Sequence, residues 1–312
     1  MAERCMAVVG IGATGAVLAA ALLARNPDTV LVAPSDVKRQ ALAREGIQVS
    51  GALNFQSRPR RVCASVRELA AYAPDAIFIS TKTFHLPGLL DELKGVAGPD
   101  TVFISTHNGL GTEDLIAGSF GAKAAMRMSL NYGVTATGPS RVEAAFFNAP
   151  NPLGVLDPSR EEFGRELAAT LSEAGLETEL VPDIKLLVWK KMIMKCTMAS
   201  ICAVTDRTIR EALDFPPTRE IADNCFQEIL AVAKAKGYDL GPDYLSHAMA
   251  YLDKVGEHKD SMCVDIANHT RTEIDFLGGK VVDYARQEGI DTPYYNVMTN
   301  LVRSLEDSYL NR

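Results

Sequence analysis

Four short aliphatic runs punctuate the first third of the chain without polar alternation: Met6-Ala7-Val8-Val9, Thr29-Val30-Leu31-Val32, Ala76-Ile77-Phe78-Ile79-Ser80 and Thr101-Val102-Phe103-Ile104-Ser105. A strand that is apolar on both faces is covered on both faces, as in a parallel sheet whose crossover helices lie above and below it. Helical periodicity fills the gaps, for example over residues 16–25 and 87–94, so the first half reads as an α/β domain built on a parallel sheet. Between residues 138 and 181 the pattern is mixed. Residues 141–147 read as a strand and residues 160–173 as a helix stopped at Gly175, and this segment is expected to complete the sheet. After Pro182 the pattern is helical. Residues 219–236 place Ile221, Cys225, Ile229 and Val232 on one face and stop at Gly237. The chain therefore divides into a parallel-sheet domain over 1–182 and an all-helical domain over 183–312.

With 312 residues and 47% apolar content, both domains can bury a core of their own. The six cysteines form no C-x-x-C pair, which argues against a zinc site or a dithiol motif and for free thiols in a reducing, cytoplasmic setting. The net charge of -7 comes from interspersed signs, which leaves no basic stripe for nucleic acid or an anionic membrane. The apolar run from Met6 to Ala24 resembles a leader or anchor in composition. Gly10, Gly12 and Gly15 interrupt it and Arg25-Asn26-Pro27 ends it, so it reads as a strand and helix of a soluble protein. His85, His107, His247, His258 and His269 are too dispersed to imply a metal site.

Gly10-Ile11-Gly12-Ala13-Thr14-Gly15 follows the first strand and opens a helix, the context in which G-x-G-x-x-G implies a dinucleotide. The first glycine permits the turn, the second lets backbone approach a pyrophosphate, and the third lets the helix pack closely, while the helix start offers unpaired N–H groups. The N-terminal domain is thus expected to be Rossmann-like. A carboxylate at the end of the second strand would select NAD. Here that place holds Ala33-Pro34-Ser35, and Lys38 and Arg39 follow Asp36, which favours NADP over NAD.

Five further stretches carry a family resemblance: Ser80-Thr81-Lys82, His107-Asn108-Gly109-Leu110-Gly111, Trp189-Lys190-Lys191-Met192, Ser261-Met262 and Thr272-Glu273-Ile274-Asp275. In order and spacing the chain resembles the ketopantoate reductases (2-dehydropantoate 2-reductases) over nearly its whole length. The resemblance implies hydride transfer from NADPH to the ketone of a small-molecule 2-oxo acid, with Lys191 as general acid and Glu273 as the acidic residue that contacts cofactor and positions the reacting groups. It implies cofactor contacts from Lys82, Asn108 and the backbone of Val134, and substrate contacts from Asn108 and Ser261. An ammonium beside the ketone oxygen suits this reaction because it both stabilises the developing alkoxide and supplies its proton. Lys191 adjoins Lys190 in an apolar helical run, so one of the pair is expected to point inward, and Lys191 is preferred. Spacing alone does not separate Glu273 from Asp275.

The chain departs from the family where asparagines are expected one and two turns after the lysine, at Lys195 and Ala199. Positions 191, 195 and 199 share a helical face, so the substrate pocket is expected to change. A second ammonium would favour a more anionic oxo acid and lower the pKa of one or both lysines by mutual repulsion, and Ala199 would leave more room. Lys195 joins the expected substrate-binding set. Two alternatives follow: a related NAD(P)-dependent dehydrogenase acting on another oxo acid, and a non-catalytic NADPH-binding regulator. A homodimer is compatible with the helical half.

Overall fold

The computed structural model describes residues 4–257 and 259–311. Its strands are β1 (Met6–Val9), β2 (Val30–Val32), β3 (Ile47–Gly51), β4 (Phe55–Ser57), β5 (Arg61–Cys63), β6 (Ala76–Ile79), β7 (Val102–Ser105), β8 (Ala125–Met128), β9 (Tyr132–Ala136), β10 (Arg141–Phe147), β11 (Asn151–Val155) and β12 (Thr178–Leu180). Five helices belong to the same part of the chain: α1 (Ala13–Arg25), α2 (Asp36–Glu45), α3 (Leu86–Leu93), α4 (Thr112–Phe120) and α5 (Glu161–Glu173). From residue 184 onward the described elements are helical: α6 (Ile184–Thr205), α7 (Ile209–Asp214), α8 (Pro216–Ala235), α9 (Tyr244–Val255), α10 (Ser261–Ala267), a single turn at Ile274–Phe276, α11 (Gly278–Glu288) and α12 (Pro293–Leu310).

The main sheet has the order β12-β11-β8-β7-β6-β1-β2-β5. All its ladders are parallel except that between β11 and β8. Successive side chains of a strand point to opposite faces, and both faces here are apolar. Val8, Leu31, Phe78 and Ile104 meet α1 and α5 on one side, whereas Ala7, Val9, Ile77 and Phe103 meet α3 and α4 on the other. Each fully buried aliphatic or aromatic side chain contributes about 1.5–3 kcal/mol. The long apolar run near the start of the chain is consumed in this way as β1 and α1. No described helix is long and apolar enough to cross a membrane.

One expectation is corrected. The strand at Arg141–Phe147 does not extend the main sheet. It lies inside a second, four-stranded sheet of order β4-β3-β10-β9, parallel to β3 and antiparallel to β9. The reason is visible in Arg141-Val142-Glu143-Ala144, where Val142 and Ala144 turn into the core and Arg141 and Glu143 are exposed. That alternation suits a sheet with one solvated face, unlike the doubly covered strands of the main sheet. β11 and β12 complete the main sheet instead.

By packing, the chain forms two compact units. The first runs to His107 and resumes over Thr112–Ile184; the second comprises Asn108–Gly111 and the chain from Lys185 onward.

Candidate active site

In the first unit the glycine loop joins β1 to α1. Gly10 has φ +93°, and a Cβ there would lie 2.7 Å from the backbone nitrogen of Thr81. Gly15 is tighter still, because its Cβ would stand 2.0 Å from the Gly10 carbonyl oxygen. Gly12 differs from both. A Cβ added there meets nothing within 4 Å, so the open space lies above the turn and at the start of α1. No side chain caps that helix and no acidic residue occupies its first turn. Unpaired N–H groups beside open space fit a pyrophosphate.

The neighbouring elements crowd the same loop. Gly10 abuts Ser80 and Thr81, which puts the Ser80-Thr81-Lys82 stretch beside it, and Lys82 is half-buried just beyond β6. The Tyr132 hydroxyl donates to the Thr14 carbonyl at 3.0 Å, fixing β9, and with it half-buried Val134, against the first turn of α1. Lys38 sends its ammonium to the Ile11 carbonyl at 2.5 Å, and burial pulls its pKa below the ordinary lysine value. Arg39 donates to the Ala33 and Pro34 carbonyls at 2.9 and 2.6 Å and also binds Asp36. The two cations therefore brace the end of β2, and Asp36 is paired rather than free.

Sequence reasoning missed a buried polar knot under this surface. Arg127 is 1% exposed and donates to Ser105 Oγ at 2.7 Å, to Thr112 Oγ1 and to the His107 carbonyl. Buried Glu113 lies 3.6 Å from its guanidinium. An arginine in the apolar strand Ala125-Met126-Arg127-Met128 was the available signal, since a buried cation needs partners. His107 belongs to the knot, with Nδ1 2.9 Å from Ser105 Oγ. Burial, reinforced by the charge of Arg127, pushes its pKa down to about 3, so the imidazole is neutral. His258 lies outside the described residues.

The second unit gathers the charged side chains. α6 is apolar on several sides, with Val188, Trp189, Met192, Ile193 and Cys196 buried, and Lys191 and Lys195 stand one turn apart on it. The Lys191 ammonium donates to Asn108 Oδ1 at 3.1 Å. Both lysines of the adjacent pair are half-buried, and the Lys190 carbonyl accepts the Tyr244 hydroxyl. The segment bearing Asn108 is held by a Leu110 N–H bond to the Phe276 carbonyl at 3.0 Å.

Lys195 is the second correction. Its ammonium lies 2.5 Å from Asp260 Oδ2 and 2.8 Å from Ser261 Oγ. Burial opposes its charge, but the Asp260 carboxylate, with help from Glu273, outweighs burial and holds its pKa above the ordinary lysine value. The expected mutual lowering of two lysine pKa values is therefore overridden at Lys195. Ala199, the next position on that face, is fully buried. Asp260 itself was missed, because only the fold brings residues 65 apart in sequence together.

Glu273 and Asp275 separate by environment. Asp275 is exposed and bound by Arg303 at 2.7 Å, whereas Glu273 is half-buried and close enough to Lys195 to act on its charge.

Comparison with known proteins gives this arrangement its family. The description "Ketopantoate reductase PanE/ApbA" matches residues 6–157 and its C-terminal counterpart matches residues 183–306. This chain belongs to the ketopantoate reductase family. It is accordingly an oxidoreductase of that family. A 2-dehydropantoate 2-reductase of Streptococcus pyogenes serotype M3 is 29% identical over 306 residues, covering 96% of this chain and 97% of its own. One of Pyrococcus horikoshii is 27% identical over 301 residues, with 96% of each covered. Among solved structures, D-mandelate dehydrogenase with NADH and anilino(oxo)acetate superposes with a TM-score of 0.86 at 24% identity, covering 97% of this chain and 99% of its own. At that identity the likeness speaks for the fold.

Proposed function

We propose that this family member reduces the ketone of a 2-oxo acid in the manner of a 2-dehydropantoate 2-reductase, using NADPH and the Lys191 ammonium as general acid. The observation that carries the reading is the Lys191 ammonium, half-buried on α6 and directed by Asn108 Oδ1 at 3.1 Å. Bound NADPH supplies the hydride. Lys191 then meets the oxygen on which negative charge develops and gives it a proton, a role worth about a hundred- to ten-thousandfold in rate. In this scheme Ser261 and Lys195 bind the substrate together with Asn108, and Glu273 orients the reacting groups. Gly10, Ile11, Gly12, Ala13, Thr14 and Gly15 hold the pyrophosphate, with Lys82, Asn108, Val134 and Glu273 as further cofactor contacts. Residues 1–182 form the dinucleotide-binding domain of this scheme and residues 183–312 its helical catalytic domain.

NADPH is preferred over NADH in this reading because no free carboxylate ends β2 and Arg39 already arches over Ala33 and Pro34. The test is spectrophotometric oxidation of NADPH and of NADH with ketopantoate, branched oxo acids and oxo diacids, repeated with Lys191→Ala. Turnover of an oxo acid that is lost with Lys191→Ala supports the assignment. Tight nucleotide binding with no oxo acid reduced, or full activity in the lysine variant, sinks it.

A further inference from the structure

The ion pair between Lys195 and Asp260 has a property that neither residue has alone. Of the three N–H bonds of the Lys195 ammonium, one goes to Asp260 Oδ2 and one to Ser261 Oγ. The third has no acceptor among the described residues, and the side chain keeps 18% of its surface exposed. Lys195 therefore retains one donor for a ligand. The ammonium keeps its charge, but the pair as a whole carries none, because the carboxylate beside it is fixed in place.

That fixation comes from α10. Asp260 is the N-cap residue of the helix, and its Oδ1 accepts the Met262 N–H at 2.9 Å while Oδ2 faces Lys195. Swinging the carboxylate away from Lys195 would uncap the helix, so the pair persists when a ligand arrives. Glu273 adds further negative charge nearby. Ser261 Oγ accepts from Lys195, which leaves its own O–H to donate outward from an exposed position. The cluster thus offers donors without a surplus cation. A second carboxylate on a ligand would meet an ammonium already neutralised and the repulsion of Asp260.

We propose that Asp260 sets the charge class of the substrate: by pairing with Lys195 it confines the site to monoanionic 2-oxo acids and rejects 2-oxo diacids. The proposal rests on the oxo acid reductase reading above, and it reverses the expectation that a second lysine attracts a more anionic substrate.

The deciding variant is Asp260→Asn, which keeps a capping oxygen for α10 and removes the charge. Binding of 2-oxoisovalerate and of 2-oxoglutarate is measured by calorimetry in the presence of NADP+, and kcat/KM with NADPH is measured for the same two acids. The native protein is expected to favour 2-oxoisovalerate in both measurements. Asp260→Asn should move the ratio toward 2-oxoglutarate by about tenfold or more, and adding Lys195→Met should cancel that movement. Asp260→Ser, which also caps, replaces the asparagine variant where circular dichroism shows the latter unfolded. An unmoved ratio in a folded variant, a shift that survives Lys195→Met, or a native preference for 2-oxoglutarate overturns the proposal. Reduction of an oxo acid with an unmoved ratio refutes the role of Asp260 and leaves the reductase reading intact. If neither acid is reduced, the reductase reading fails for these substrates and the calorimetric ratio still decides the role of Asp260, while absence of binding to either acid overturns both.

Discussion

The glycine loop and the lysine helix are built from opposite materials. Around Gly10, Gly12 and Gly15 the surface offered to a ligand is backbone, and its usefulness lies in side chains that are missing. On α6 and α10 the surface is made of Lys191, Lys195, Asp260 and Ser261, and the two lysines owe their direction to partners far away in sequence, 83 residues in the case of Lys191 and Asn108. A backbone site fails when an atom is added. A side-chain site fails when a partner is removed, because the remaining charge loses its orientation or its counter-charge.

Substitutions can break this contrast one side at a time. The largest effect is expected from Lys191→Ala, which should lower kcat on the best oxo acid by about a hundred- to ten-thousandfold while nucleotide affinity by fluorescence titration stays put. A parallel loss of nucleotide affinity would mean the two sites are not separable. Next comes Gly15→Ala, whose methyl meets the Gly10 carbonyl and should destabilise the fold by about 3 kcal/mol in urea denaturation. Gly12→Ala should leave the denaturation midpoint in place and weaken nucleotide binding, because its methyl enters the open space. Equal stability loss in both variants would contradict the distinction drawn between the two glycines.

A third prediction concerns pH. Folded His107 holds its pKa near 3 through burial and the Arg127 charge, below the ordinary value of 6.5. As pH falls below about 6.5 the unfolded chain takes up a proton that the folded chain refuses until about pH 3, so stability is full above that window and is lost across it. The loss is about 1.4 kcal/mol per pH unit, or about 2 kcal/mol between pH 6.5 and 5. His107→Gln should flatten that part of the profile relative to native protein, and identical slopes would remove the histidine from the account. The smallest effect is expected for Asn108→Ala, which removes the amide oxygen that accepts from the Lys191 ammonium and should reduce kcat/KM about tenfold with little change in melting temperature.

Legibility followed the same division. The doubly apolar runs of β1, β2, β6 and β7 and the G-x-G-x-x-G spacing are local, and the sequence displays them directly. β10 is also legible as a strand, but alternation alone marks one solvated face and does not say which strands it joins. On α6 the helical face shared by Lys191 and Lys195 was readable from spacing. The Asp260 carboxylate that neutralises one of them was not, since periodicity carries no information about which distant residue arrives. The same applies to Arg127 and Glu113, whose pairing emerges only when β8 and α4 pack.

The segment Asn108–Gly111 packs with the second unit although the chain on either side of it packs with the first. Recombination at a single joint near residue 184 would consequently separate Lys191 from the asparagine that directs it. A chimera that exchanges the helical part between two such proteins keeps its parts matched only if these four residues travel with it, so inheritance of the two halves is tied at two places along the gene.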